Sequence, residues 1–137
     1  MPNAAPTVYE ACTDDVVVRA TPIYLPSHLN PEEGRWTWAY TIEIENRGVQ
    51  AVQLLARHWV ITDANGRVDQ VVGAGVVGEQ PVIAPGGAHR YTSGCPLPTP
   101  SGSMAGSFQM QWADGERFDA EIPAFSLDVP GVARTLN

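Results

Sequence analysis

The chain contains no lysine, and its eight basic residues are all arginine. Fifteen acidic residues outnumber them, leaving a formal net charge of −7. An acidic chain gains little by releasing the counterions of a phosphate backbone, so nucleic-acid binding is not expected. The same balance argues against a basic membrane-surface role. Cysteine is scarce. Cys12 and Cys95 stand alone and form no CxxC pair, which removes the basis for a disulfide framework or a zinc site. Long apolar runs are missing, so membrane insertion is not expected. Residues 1–6 carry no basic stretch followed by an apolar one, so no signal peptide is expected and the expected location is cytoplasmic.

What the chain does have is turn-forming residues. Thirteen glycines and twelve prolines punctuate 137 residues, a composition that disfavours long helices. Trp36, Trp38, Tyr40, Ile42 and Ile44 alternate with Thr37, Ala39, Thr41, Glu43 and Glu45. A period of two over that length predicts a half-buried strand, because successive side chains point to opposite faces. Further strands are predicted at residues 16–21, at 52–62 with Leu55, Trp59 and Ile61 on one face, and at 67–72. The remaining ones are at 82–83, 89–93, 107–112 and 118–127. Asn65-Gly66 and Asp114-Gly115 mark tight turns between strands. The fold expected is all-β: an immunoglobulin or fibronectin type III-like sandwich of about seven antiparallel strands, with a small barrel as the runner-up. One domain over residues 8–130 is expected, with tails at 1–7 and 131–137.

Gly73-Ala74-Gly75-Val76-Val77-Gly78 spells GxGxxG. A dinucleotide site needs a helix to open directly after that loop. Glu79-Gln80-Pro81 and Pro85 follow instead, so a Rossmann reading is rejected. Two readings stay open. Amides around Gly73, Gly75 and Gly78 can form a nest for an anion, with Arg57, Arg67 or Arg90 supplying charge. Alternatively the glycines only bend a connection between strands.

His28, His58 and His89 lie far apart in sequence, without metal-ligand spacing. Glu43 and Glu45 read as a solvated strand face. Ser93 and Cys95 lie in no nucleophile elbow, and Cys95 reads as a buried structural thiol. No catalytic group, metal or cofactor is therefore expected. The run from Ser93 to Gly106, dense in Gly, Pro and Ser, reads as a long loop exposing Leu97 and Met104 to a protein partner.

Several ordered motifs carry a family resemblance. They are Arg57-His58-Trp59-Val60-Ile61-Thr62-Asp63, the glycine run through Glu79-Gln80-Pro81, Pro85-Gly86, Tyr91-Thr92-Ser93-Gly94, and Thr99 through Phe108. Tyr9-Glu10-Ala11 and Ile122-Pro123-Ala124-Phe125-Ser126-Leu127 fit as well. Together they resemble the ApaG family across about residues 8–130. Gly87 and His89 depart, standing where a more polar residue and an aromatic are commoner. The resemblance implies a fibronectin type III-like fold and an association with cobalt resistance and magnesium efflux. It also implies a non-catalytic module that works through protein contacts, or one that binds a nucleotide or pyrophosphate at Gly73, Gly75 and Gly78 without hydrolysis. Arg57, Leu97 and Met104 are the residues expected on a partner surface. Exposed edge strands would also permit a homo-oligomer.

Overall fold

The alternating aromatic and β-branched residues fold as their period requires. In the computed structural model, residues 6–28, 32 and 34–130 are described. They form β1 (Tyr9–Thr13), β2 (Val16–Tyr24), β3 (Trp36–Asn46), β4 (Val52–Asp63), β5 (Val68–Ala74), β6 (Val82–Ile83), β7 (Ala88–Leu97), β8 (Ser101–Trp112) and β9 (Arg117–Asp128). The only other regular element among the described residues is a short 3-10 turn at Pro26–His28. The tails expected at residues 131–137 and over most of 1–7 lie outside the described residues.

Two antiparallel sheets make a sandwich. One has the order β1-β2-β3-β7, the other β5-β4-β8-β9, with β6 beside β4 beyond the end of β5. Nine strands form, eight of them on the predicted segments. The ninth is β1, whose register on β2 runs from Tyr9 opposite Ala20 to Thr13 opposite Val16.

The core fills the space between the sheets. Trp38, Ile42 and Ile44 face inward from β3 and meet Phe108, Met110, Ile122 and Leu127 from the other sheet. Aromatic rings bridge the layers: Tyr40 packs edge-on to Trp59 at 5.2 Å between centroids, and Phe125 lies 6.0 Å from each of them. Offset and edge-to-face pairs of this kind add to the burial of their area.

The outer face of the first sheet carries charge. Arg19 bonds Glu10, Glu43 and Glu45 at 2.8, 2.8 and 2.9 Å, tying β1, β2 and β3 together. Glu43 and Glu45 thus line the solvent face as expected, but as acceptors of one guanidinium. Arg47, and next Arg19, hold the Glu45 carboxyl below the usual carboxylate range. Among the described residues no three metal-ligating side chains gather.

Two expectations are corrected. Residues 93–106 are not a long loop: β7 continues to Leu97, β8 begins at Ser101, and only residues 98–100 lie between. Leu97 and Met104 are accordingly core residues, 4 % and 1 % exposed, and no partner can touch them in the folded chain. On β4 the buried leucine is Leu54, not Leu55, because a bulge between Leu54 and Ala56 shifts the alternation.

Candidate functional site

The bulge decides what faces the core along β4. Leu54 pairs with Met110, Ala56 with Gln109 and Arg57 with Phe108. Met110 and Phe108 are fully buried, so Leu54 and Arg57 both point between the sheets although they stand three positions apart. Unbroken alternation from Leu54 would send Arg57 outward. Bulges commonly re-aim a side chain in this way.

Arg57 is half-buried, and opposite it on β5 stands Gly73. A Cβ at Gly73 would lie 3.0 Å from both terminal guanidinium nitrogens, so the missing side chain is the space Arg57 occupies. Arg57 Nη1 donates to the carbonyls of Ala74 at 3.0 Å and Gly75 at 2.9 Å. Arg57 makes no ion pair among the described residues.

The glycine run follows directly. Gly75 has φ +63°, and its amide donates to the Leu55 carbonyl at 2.9 Å. Val76 is buried. Val76 N donates to Glu79 O at 2.8 Å and Glu79 N returns to Val76 O at 3.0 Å. Between them Val77 and Gly78 have φ of +48° and +77°. Positive φ at both central positions marks the mirror-image turn that closes two-residue hairpins. The run thus bends the chain between β5 and β6. The amides of Gly75, Val76 and Glu79 bond the chain's own carbonyls, and Gly73 sits in the β4–β5 ladder. No helix follows, as the prolines require.

Across from this turn, β7 presents His89, Tyr91 and Ser93 on its inward face. Tyr91 packs on Phe108 at 6.5 Å and His89 lies 6.3 Å from Tyr91. Both Tyr91 Oη and His89 Nε2 are buried without a hydrogen-bond partner. Glu79 Oε2 stands 3.9 Å from His89 Nε2, too far for a hydrogen bond. Burial pushes the Tyr91 and Tyr40 phenols upward, and Arg57 is close enough to both that its charge pulls the other way. The inter-sheet edge between β5 and β7 thus gathers one arginine, two phenols and a histidine. Alternation along β7 puts His89, Tyr91 and Ser93 on one face in the sequence alone. The inward turn of Arg57 could not be found there.

The remaining candidates fall elsewhere. His58 faces outward and bonds Gln70 at 2.8 Å. Arg67 lies within 3.8 Å of Asp69 at the surface. Cys95 is buried, and burial pushes its thiol up to about 11, which opposes nucleophilic use. The sign follows from the unfolded chain, where the thiol titrates near 9. As pH rises from 9 towards about 11 the unfolded state loses this proton first, so stability is expected to fall across that window. A thiol-reactive chromophore at neutral pH should titrate one thiol rapidly, exposed Cys12, and the second only in denaturant. Two rapid thiols in the native protein would contradict this burial.

A different surface is apolar. Val68, Val72 and Val82 pair with Thr62, His58 and Gln53 on the outer face of β4. They form a strip along the β5–β6 edge, Val72 being 74 % exposed. Val77 at the turn tip is 66 % exposed. A β-branched residue in the left-handed region is a genuine outlier, and such strain concentrates at functional sites.

A family model described as the ApaG domain matches residues 26–112. The chain is 62 % identical over 123 residues to Protein ApaG of Maricaulis maris, covering 90 % of this chain and 95 % of that one. It is 56 % identical to Protein ApaG of Azorhizobium caulinodans, covering 95 % of this chain and all of the relative. The crystal structure of the putative ApaA protein from Bordetella pertussis superposes with a TM-score of 0.83 at 44 % identity, covering 86 % of this chain and 96 % of that one. The C-terminal domain of wzt shares the fold alone, with a TM-score of 0.54 at 12 % identity.

Proposed function

The chain belongs to the ApaG domain family, and from that membership we propose that it is a non-catalytic recognition module that engages a protein partner through the β5–β6 edge. The observation that carries this reading is the exposed valine strip on an edge strand. Val68, Val72, Val77 and Val82 leave apolar area in water beside backbone groups that no further strand among the described residues pairs. An extended segment of another chain adding to that edge would bond the backbone and cover the valines together. Edge strands avoid such pairing with charged side chains, proline or a covering loop, and β5 carries a single charge, Asp69, and no proline. The same proposal places the module in the cytoplasm and ties it to cobalt resistance and magnesium efflux.

The test is a bacterium lacking its own copy and scored for cobalt tolerance. Val72→Asp with Val82→Asp is expected to leave the melting curve nearly unchanged, since both side chains are exposed. The double variant is expected to fail to restore tolerance where the parent chain restores it. Full restoration by the double variant would overturn the proposal. The glycine run supports pyrophosphate binding less well, because its amides at Gly75, Val76 and Glu79 are already bonded within the chain.

A further inference from the structure

We propose that the inter-sheet edge at Arg57 is a binding site for a carboxylate, separate from the valine strip and from the amides of the glycine turn. The first ground is an unneutralised charge. Arg57 points inward, yet no carboxylate lies within ion-pair distance among the described residues, in a chain with fifteen acidic groups. Burying part of a charge without an ionic partner is costly, so a structure that keeps one has a use for it or supplies the partner from outside.

The second ground is geometry. Arg57 Nη1 is held by the carbonyls of Ala74 and Gly75. Both bonds fall on Nη1, and no acceptor among the described residues bonds Nε or Nη2. Two parallel N–H groups on one edge are the fork that a planar carboxylate matches. The third ground is the company it keeps. Tyr91 Oη and His89 Nε2, on the facing strand, are buried without a hydrogen-bond partner among the described residues. Unpaired buried polar groups are rare in native structures and need an explanation. A ligand oxygen between Arg57 and Tyr91 would supply one acceptor to both.

The charge balance selects the class. One fixed cation, two neutral phenols and the nearby Glu79 carboxylate suit a monoanion better than a multiply charged phosphate. The carboxylate can come from a small acid or from a polypeptide C-terminus.

Nitrogen-15 NMR on the full chain tests this, with the Arg57 Nε–H signal as the probe. Sodium acetate is titrated against sodium chloride at equal ionic strength. Saturating shifts are expected with acetate and not with chloride. Arg57→Lys, which keeps the charge and loses the fork, should weaken binding roughly tenfold. Arg57 also bonds two carbonyls, so Tyr91→Phe provides a variant that removes only an unpartnered hydroxyl. It should fold normally and bind acetate several-fold more weakly. A short peptide with a free C-terminus, compared with its amide, separates the sources. Tighter binding of the free acid than of acetate assigns a polypeptide, and equal binding assigns a small acid. Shifts that never saturate, affinity unchanged in both variants, or pyrophosphate saturating before any carboxylate would overturn the site. The Val72→Asp, Val82→Asp chain should keep its acetate response, so failure of either proposal is distinguishable from failure of the other.

Discussion

Replacing Gly106 with alanine should destabilise the protein by about 3 kcal/mol or more, a drop of roughly 10 °C or more in melting temperature. Gly106 lies opposite Trp59, where β8 and β4 approach closely. An added Cβ would fall on the His58 carbonyl oxygen and lie 3.2 Å from Trp59 Cα. Both obstacles are backbone of the central β4, so neither can swing aside as a side chain would. The sign is the informative part. Removing a glycine from a strand ordinarily stabilises by about 0.5–1 kcal/mol through the unfolded chain's lost freedom. Gly94 provides the control, since a Cβ there meets only the Trp38 carbonyl at 3.7 Å. Urea titrations of Gly106→Ala and Gly94→Ala should therefore move in opposite directions, or the control should stay still. A Gly106→Ala protein as stable as the parent would refute the close approach.

Asn46→Ala should cost about 3–5 kcal/mol, measured as a lower urea midpoint at unchanged slope. Asn46 is fully buried at the end of β3. Its Nδ2 donates to the carbonyls of Gln50 at 2.8 Å and Ile83 at 3.0 Å, and its Oδ1 accepts from the Gly48 amide at 2.9 Å. Its backbone exchanges bonds with Gly86 and Gly87 at 2.8 and 2.9 Å. One side chain thus joins the β3–β4 turn to the short β6, which pairs with β4 only at Val52 and Gln53. Alanine would leave two carbonyls and an amide without partners, and each orphaned group costs about 1–3 kcal/mol. Asn46→Asp should be no rescue, because a carboxylate cannot donate and would face two carbonyls. Stability within 1 kcal/mol of the parent, roughly the worth of a single hydrogen bond, would show that water replaces these contacts.

Most of the strands were legible because one face of each is buried, which writes a period of two into β3, β7 and β9. β1 left no such trace. Its inward Tyr9 and Ala11 are separated by Glu10, and pairing with β2 and the Arg19–Glu10 contact hold it rather than a hydrophobic run. The run from Ser93 to Gly106 misled because glycine density has two causes. At Gly102 an added Cβ would lie 2.5 Å from the Thr62 carbonyl and 2.7 Å from the Leu97 side chain, so that glycine marks tight packing within a strand. Leu97 and Met104 are interior for the same reason. Of the site, the glycine bend and the absence of a helix were readable from the prolines. The direction of Arg57 was not, since periodicity carries no record of the bulge that sets it.

That bulge also acts as a ratchet. Sliding β4 by one position to iron it out would drive His58, Val60 and Thr62 into the oily interior and expel Trp59 and Ile61 into water. The central strand therefore has a single seat against β8. Thermal agitation can fray the ends of the sandwich, but it cannot let that seam creep.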